Sequence, residues 1–295
     1  MNKNKNLKAA KKNKNDEFYT RLEDIEKELR FYDFKDMIVY CNCDDYRTSN
    51  FYNYFFYNFN YLGIKKLITT CYIQDGKGLF SVYDGVELNT GELQGDGDFR
   101  SEECIEYLKQ ADVVVTNPPF SLFREFIAQL MEYNKKFIVI GNTNVATYKE
   151  IFPLIKNNQL WVGVTNYNVG MHFYLPDNYE DYKLVDENGK KIGRVSTSCW
   201  WTNIENKRRN EPIDLYKRYS FEDYPKYDNY DAIDVGNYQD IPMDYDGVMG
   251  VPITFLGHYC PTQFEIIKFR KGDDDKDLSI NGKCPYFRIL IRKLS

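Results

Sequence analysis

Asn117-Pro118-Pro119-Phe120 is the stretch of this chain whose residue types and spacing could do chemistry. It follows the apolar run Val113-Val114-Val115, with Thr116 between them. Proline has no backbone N–H, so a strand must stop at Pro118, and the proline pair fixes a rigid corner. The residue before a proline is held extended, so the Asn117 side-chain oxygen and the nearby carbonyls can point outward together as acceptors. Two acceptors suit an amino group. Phe120 adds a flat apolar face of the kind on which an unstacked nucleobase lies. An exocyclic amine on a planar heteroaromatic ring is therefore the natural guest. The same residues also fit a plain strand exit, because Asn-Pro and Pro-Pro are common turn punctuation. The four residues alone do not choose.

The elements that must hold this corner follow a regular rhythm. Phe18, Leu22, Ile25 and Leu29 have helical spacing, with Thr20 as a cap. Residues 37 to 43 read as a buried strand, 44 to 49 as a polar turn, and 50 to 62 as an aromatic-rich segment of helical length. A second strand covers 66 to 71, and a hairpin is inserted within 72 to 95. Helices over 101 to 110 and 122 to 133 flank the strand that leads into Asn117, and 136 to 141 is another buried strand. Strands separated by helices predict βαβ units, hence an α/β fold with a Rossmann-like, doubly wound, mostly parallel sheet. Ligands gather at the carboxyl ends of such strands. That places residues 42 to 45, 70 to 72 and 117 to 120 along one rim. Beyond 140 the pattern blurs, with strands over 160 to 164 and 198 to 202, then a loop-rich region over 203 to 250.

Composition narrows the classes. With 295 residues and 43% hydrophobic content, the chain can bury a real core as one large domain or a domain with an appended module. A net charge of -5 gives no global attraction to nucleic acid, so a basic footprint must be local. The local candidates are the amino-terminal lysines Lys3, Lys5, Lys8, Lys11, Lys12 and Lys14, and the run Lys207-Arg208-Arg209. The seven cysteines form no Cys-x-x-Cys pair and no zinc-like spacing, which predicts free thiols and no metal site. Only two histidines are present, which weighs against histidine catalysis. The absence of a long apolar run or a signal region predicts a cytoplasmic protein. The 26 tyrosines fit an AT-rich genome and are not read as a stacking surface.

A strand ending in Asn-Pro-Pro-Phe resembles the catalytic motif of amino-methyltransferases that use S-adenosylmethionine, chiefly the DNA adenine-N6 group. Gly97-Asp98-Phe99 resembles the Asp-Phe step that holds the cofactor adenine, and Phe18-Tyr19-Thr20 resembles a motif that touches the methionine end. In that motif a proline usually follows, and here Arg21 stands in its place. With Val39-Tyr40-Cys41-Asn42-Cys43-Asp44-Asp45, and with later segments around Cys199 to Asn203, Tyr230 to Val235 and Gly247 to Ile253, the order is similar to the EcoRI-type adenine-specific DNA methyltransferase family over most of the chain.

That resemblance implies catalytic residues Asn117, Pro118, Pro119 and Phe120, and S-adenosylmethionine held by Tyr19, Thr20, Asn42, Asp44, Asp98 and Phe99. It also implies double-stranded DNA as substrate, a cognate restriction endonuclease acting on the same site, and no obligate protein partner or membrane. The implied organisation is a flexible basic tail over 1–15, an S-adenosylmethionine-binding catalytic core over 16–165, and remaining core strands with a DNA target-recognition region over 166–295. Two departures matter. The first-strand loop lacks Gly-x-Gly, so Asp44 or Asp45 must reach the cofactor by side chain. The second strand ends in Thr69-Thr70-Cys71, without the acid that usually anchors the ribose. Two competing readings are methylation of another planar amine or amide, such as an RNA base or protein glutamine, and a DNA-binding homologue that has lost catalysis.

Overall fold

The structure is a computed structural model that describes residues 19–176, 182 and 184–294. The basic tail of 1–15 and Phe18 lie outside the described residues. In chain order the elements are β1 (Tyr19–Thr20), α1 (Leu22–Leu29), β2 (Ile38–Cys41), α2 (Asn50–Tyr57), α3 (Phe59–Leu62), β3 (Lys66–Cys71), β4 (Leu79–Tyr83), β5 (Leu88–Glu92), α4 (Glu102–Gln110), β6 (Val113–Thr116), α5 (Phe123–Glu132) and β7 (Lys136–Asn142). Then come α6 (Phe152–Lys156), β8 (Trp161–Val162), β9 (Met171–Tyr174), β10 (Leu184–Val185), β11 (Lys191–Val195), β12 (Ser198–Thr202), β13 (Ala232–Asp234), β14 (Val248–Pro252), β15 (Phe264–Phe269) and β16 (Arg288–Lys293). The chain divides into two compact units, Met1–Asn144 with Gly163–Ile204, and Val145–Val162 with Glu205–Ser295.

The first unit is mixed α/β. It holds the run β5-β4-β3-β2-β6-β7-β12 of an eight-stranded sheet. The central strands β3, β2, β6 and β7 are parallel, whereas the β4–β5 hairpin and β12 add antiparallel strands on either side. Every residue of β6 is buried, as a Val-rich strand covered on both faces requires. Val39, Leu67, Val113, Val115, Ile138 and Ile140 share one core with Phe51, Phe55 and Trp200. Local signals start the helices. Ser49 caps α2 by accepting from the Phe51 and Tyr52 amides, and Ser101 caps α4, whose first turn carries Glu102 and Glu103.

The expected cap at Thr20 is corrected. Helix α1 starts after Arg21, and Thr20 belongs to β1, paired with Phe173 in a second sheet of order β1-β9-β11-β10. Strand pairing has recruited the backbone that a cap would have left free.

The second unit holds a four-stranded sheet of order β13-β14-β16-β15, in a region that the sequence presents as irregular. Strand β13 has three residues and carries an acid, Asp234, that bonds Arg288 at 2.7 Å and Tyr227 at 2.5 Å. Arg209, one of the three residues of the local basic run, is buried. Its guanidinium lies 3.5 Å from the Trp161 ring centroid and bonds Asn158 and Glu205, so it is a packing cation and not a phosphate contact. Among the described residues no helix is long and apolar enough to cross a membrane.

Candidate functional site

The carboxyl ends of β2, β3 and β6 meet on one rim of the first unit's sheet, as parallel register requires. Strand β6 empties at Thr116 into Asn117-Pro118-Pro119-Phe120. Pro118 is buried, while Asn117, Pro119 and Phe120 are half-buried. Phe120 starts a short 3-10 turn and packs against the main core, so its ring is placed by hydrophobic contact.

The turn after β2 folds back on this corner. The Asp44 amide donates to the Thr70 carbonyl at the end of β3, 3.0 Å away. Its carboxylate accepts the Ser49 hydroxyl at 2.6 Å and the Thr116 hydroxyl at 2.5 Å. Burial pushes the Asp44 carboxyl up to about 6; the two hydroxyls act against that shift, and neighbouring Asp45 adds to it. Asp45 itself is held by a two-pronged contact from Arg47. Asn42 is 1% exposed, and neither atom of its amide has a hydrogen-bond partner within the protein. A buried amide in that state is costly unless a ligand satisfies it.

Asp98 and Phe99 reach the same rim through Gly97. That glycine has φ +84°, and a Cβ there would lie 2.1 Å from the Cys71 carbonyl oxygen, so only a residue without a side chain lets the turn close on β3. Asp98 takes Arg100 on both oxygens, at 2.9 and 2.7 Å, and the hydrogen bonds from Arg100 hold its carboxyl below the usual carboxylate range. Phe99 is 4% exposed and meets Phe126 edge-on at 5.1 Å. Tyr19 and Thr20 come near through α2. Asn50 donates to the Thr20 carbonyl at 2.8 Å, and the buried Thr20 hydroxyl has no partner within the protein.

The structure therefore brings together the turn at 42–45, the end of β3 and the Asn117 corner through direct bonds, and ties Thr20 in through Asn50. Sequence reasoning missed Ser49 and Thr116. The signal for Ser49 was a hydroxyl residue just before an aromatic helical run, an ordinary N-cap signature. Thr116, a lone hydroxyl in a Val-rich strand, has no comparable local mark. Among the described residues no cluster of His, Cys, Asp or Glu could hold a metal ion.

Comparison with known proteins is consistent along the chain. Residues 6–294 match the family described as adenine-specific methyltransferase EcoRI. The chain is 51% identical to the type II methyltransferase M.EcoRI of Escherichia coli over 98% of its own length and 96% of the relative's. It is 39% identical to M.MgeORF184P of Mycoplasma genitalium, covering 96% of this chain and 97% of that one. It is 42% identical to M.MpnI of Mycoplasma pneumoniae, covering 88% of this chain and 83% of that one. No solved structure matches. Family match and near full-length identity together show that the chain belongs to the EcoRI family of adenine-specific methyltransferases, and that it is an enzyme of DNA adenine methylation.

Proposed function

We propose that this protein transfers a methyl group from S-adenosylmethionine to N6 of an adenine rotated out of a specific duplex sequence, as the modification enzyme of a type II restriction-modification system. Type II DNA methyltransferases are generally S-adenosylmethionine-dependent, and the relatives are named as type II methyltransferases. The observation that carries the reading is the bonded convergence of the Asp44 turn and the Asn117 corner on one strand-end rim. The parallel core is then the Rossmann-like core of a class I methyltransferase. Cofactor binding and catalysis fall within 16–165, and target recognition within 166–295. The setting is cytoplasmic, and a cognate endonuclease acts on the same site.

The residues present fit the cofactor. The orphaned amide of Asn42 and the unpartnered hydroxyl of Thr20 are buried polar groups that a ligand would satisfy. Tyr19, Thr20, Asn42 and the turn carrying Asp44 would hold its amino-acid end, and Asp98 and Phe99 its adenine. When bound, the cofactor supplies an electrophilic methyl group on sulfur. Asn117 and the Pro118 carbonyl accept hydrogen bonds from the target N6, which draws electron density toward that nitrogen and stabilises the positive charge developing there. Pro119 keeps the corner rigid, and Phe120 stacks on the rotated base. Holding nucleophile and acceptors in line accounts for rate without a covalent intermediate.

The test is nucleoside mass spectrometry of plasmid DNA incubated with protein and S-adenosylmethionine, beside Asn117→Ala. N6-methyladenine should appear with wild type, and turnover should fall on the order of a thousandfold in the variant, as for loss of a pre-organised polar contact. Near-normal turnover by Asn117→Ala, or methylation of RNA or protein glutamine in place of DNA, would overturn the assignment.

A further inference from the structure

The geometry points to Asp44 as a positioning residue for methyl transfer, one that sets the Asn117 corner through the Thr116 hydroxyl. The inference rests on the methyl-transfer reading above and adds a residue that acts through another.

Strand β6 pairs with β2 only as far as Val114 opposite Tyr40, while its pairing with β7 continues to Thr116 opposite Val139. On the β2 side the last two residues of the strand therefore have no ladder. The next residues toward the corner are Asn117, Pro118 and Pro119, and the prolines can donate nothing. The Thr116 hydroxyl bond to Asp44, 2.5 Å long, replaces the missing ladder one residue before Asn117. The other Asp44 oxygen takes Ser49, whose own oxygen accepts the first amides of α2, and the Asp44 amide holds β3 at Thr70. One residue in the turn after β2 thus ties β3 through its backbone amide, and β6 and the start of α2 through its side chain.

The choice of an acid here costs stability, because a buried carboxylate facing hydroxyls lacks the cation that usually offsets its desolvation. What the acid supplies is two acceptors at once. A carboxylate takes both hydroxyls, whereas a protonated acid must turn one oxygen into a donor and release or reverse one bond. The positioning is therefore complete only when Asp44 is ionised, and the tie should loosen as pH falls through about 6. The groups facing it are few. From its own turn come the Cys43 thiol, kept protonated by burial, and Asp45, engaged by Arg47; β2 contributes the buried Cys41 thiol. From β3 comes the Cys71 thiol, pushed up by burial to about 11, while β6 and α2 contribute the neutral Thr116 and Ser49. Asp98 adds to the upward push on the Cys43 thiol.

The test uses the full chain. Methyl transfer to plasmid DNA is measured from pH 5 to 9 for wild type, Asp44→Asn, Thr116→Val and Thr116→Ser, with cofactor Kd and thermal melting alongside. Asp44→Asn should lower kcat on the order of tenfold to a hundredfold, the cost of a displaced reacting geometry, with Kd changed less than about threefold. Wild-type kcat should fall below pH about 6, and Asp44→Asn should lose that limb. Thr116→Val should match the loss, and Thr116→Ser should recover most of it, which a purely structural role in the strand would not produce. A variant Asp44→Asn with wild-type kcat and an unchanged acid limb overturns the inference. So does a loss seen wholly in cofactor Kd, which would make Asp44 a cofactor anchor. A wild type that methylates no DNA at any pH overturns the underlying reading and this inference with it, whereas an active wild type with an indifferent Asp44→Asn overturns this inference alone.

Discussion

Two acidic turns on the same rim, the one at Asp44 and the one at Asp98, look alike in sequence and are electrostatic opposites. Asp98 is partly exposed and clasped by Arg100, so its carboxyl is held below the ordinary range and stays ionised at any working pH. Asp44 is 9% exposed and bonded to hydroxyls, so burial leaves it at about 6. The lesson is that an acid at a strand end becomes a fixed charge or a titrating one according to whether its partner is a cation or a hydroxyl. The Asp98 turn is suited to holding a ligand of constant chemistry. The Asp44 turn is suited to coupling protein geometry to proton activity.

The comparison can be broken most severely at Gly97. Gly97→Ala places a methyl group against the Cys71 carbonyl at a φ that favours glycine, so the Asp98 turn should detach from β3. Cofactor affinity measured by calorimetry should fall on the order of a hundredfold while the Asp44 limb of the pH profile survives, because a displacement of about 1 Å has effects of that size. The next test sets the two acids against each other in stability. Asp44 is raised, so its contribution to stability is fully present below about 4 and is lost as pH rises through about 6. Asp98 is lowered, so its contribution is present above about 4 and is lost as pH falls through its folded value. Melting of Asp44→Asn relative to wild type should therefore improve from pH 4 to pH 8, by at most about 3 kcal/mol at 1.36 kcal/mol per pKa unit. Asp98→Asn relative to wild type should worsen as pH rises through its acid window. Slopes of the same sign would dissolve the contrast. The smallest effect is expected from Asp45→Asn. Removing that like charge should move the wild-type acid limb to lower pH by a few tenths of a unit, readable in kcat profiles, because Asp45 is the smallest cause raising Asp44 and is already engaged by Arg47.

The parallel core was legible because its signals are local. Lys66–Cys71 stands as read, α4 begins one residue after its Ser101 cap, and the hairpin between β3 and α4 sits where its glycines and alternation placed it. The rim followed from strand order alone. What did not show was pairing at a distance. Thr20 looked like a cap because its strand partner, Phe173, lies far along the chain. The β13 strand was hidden because its three residues end in an acid, whose partners Arg288 and Tyr227 lie outside the strand. Thr116 reads as one more β-branched residue until Asp44 is placed against it. The want of a Gly-x-Gly loop pointed to Asp44 or Asp45 as reaching the cofactor by side chain, but no spacing rule shows the two hydroxyls, Ser49 and Thr116, that Asp44 also accepts.

The interleaving of the two units along the chain has a consequence for biosynthesis. Residues 145–162 belong with 205–295, yet 163–204 come between them and complete the other unit. A chain emerging from the ribosome can close its large sheet once β12 is made, while Phe152 must wait for Phe269, its ring partner at 5.2 Å. Until then the segment holding α6 is an unsatisfied apolar stretch on a nascent chain, the kind of species that chaperones hold. Slowing translation just after residue 204 should lengthen that exposure, and a gene split at that codon should yield a first fragment that carries an orphaned piece of the second unit.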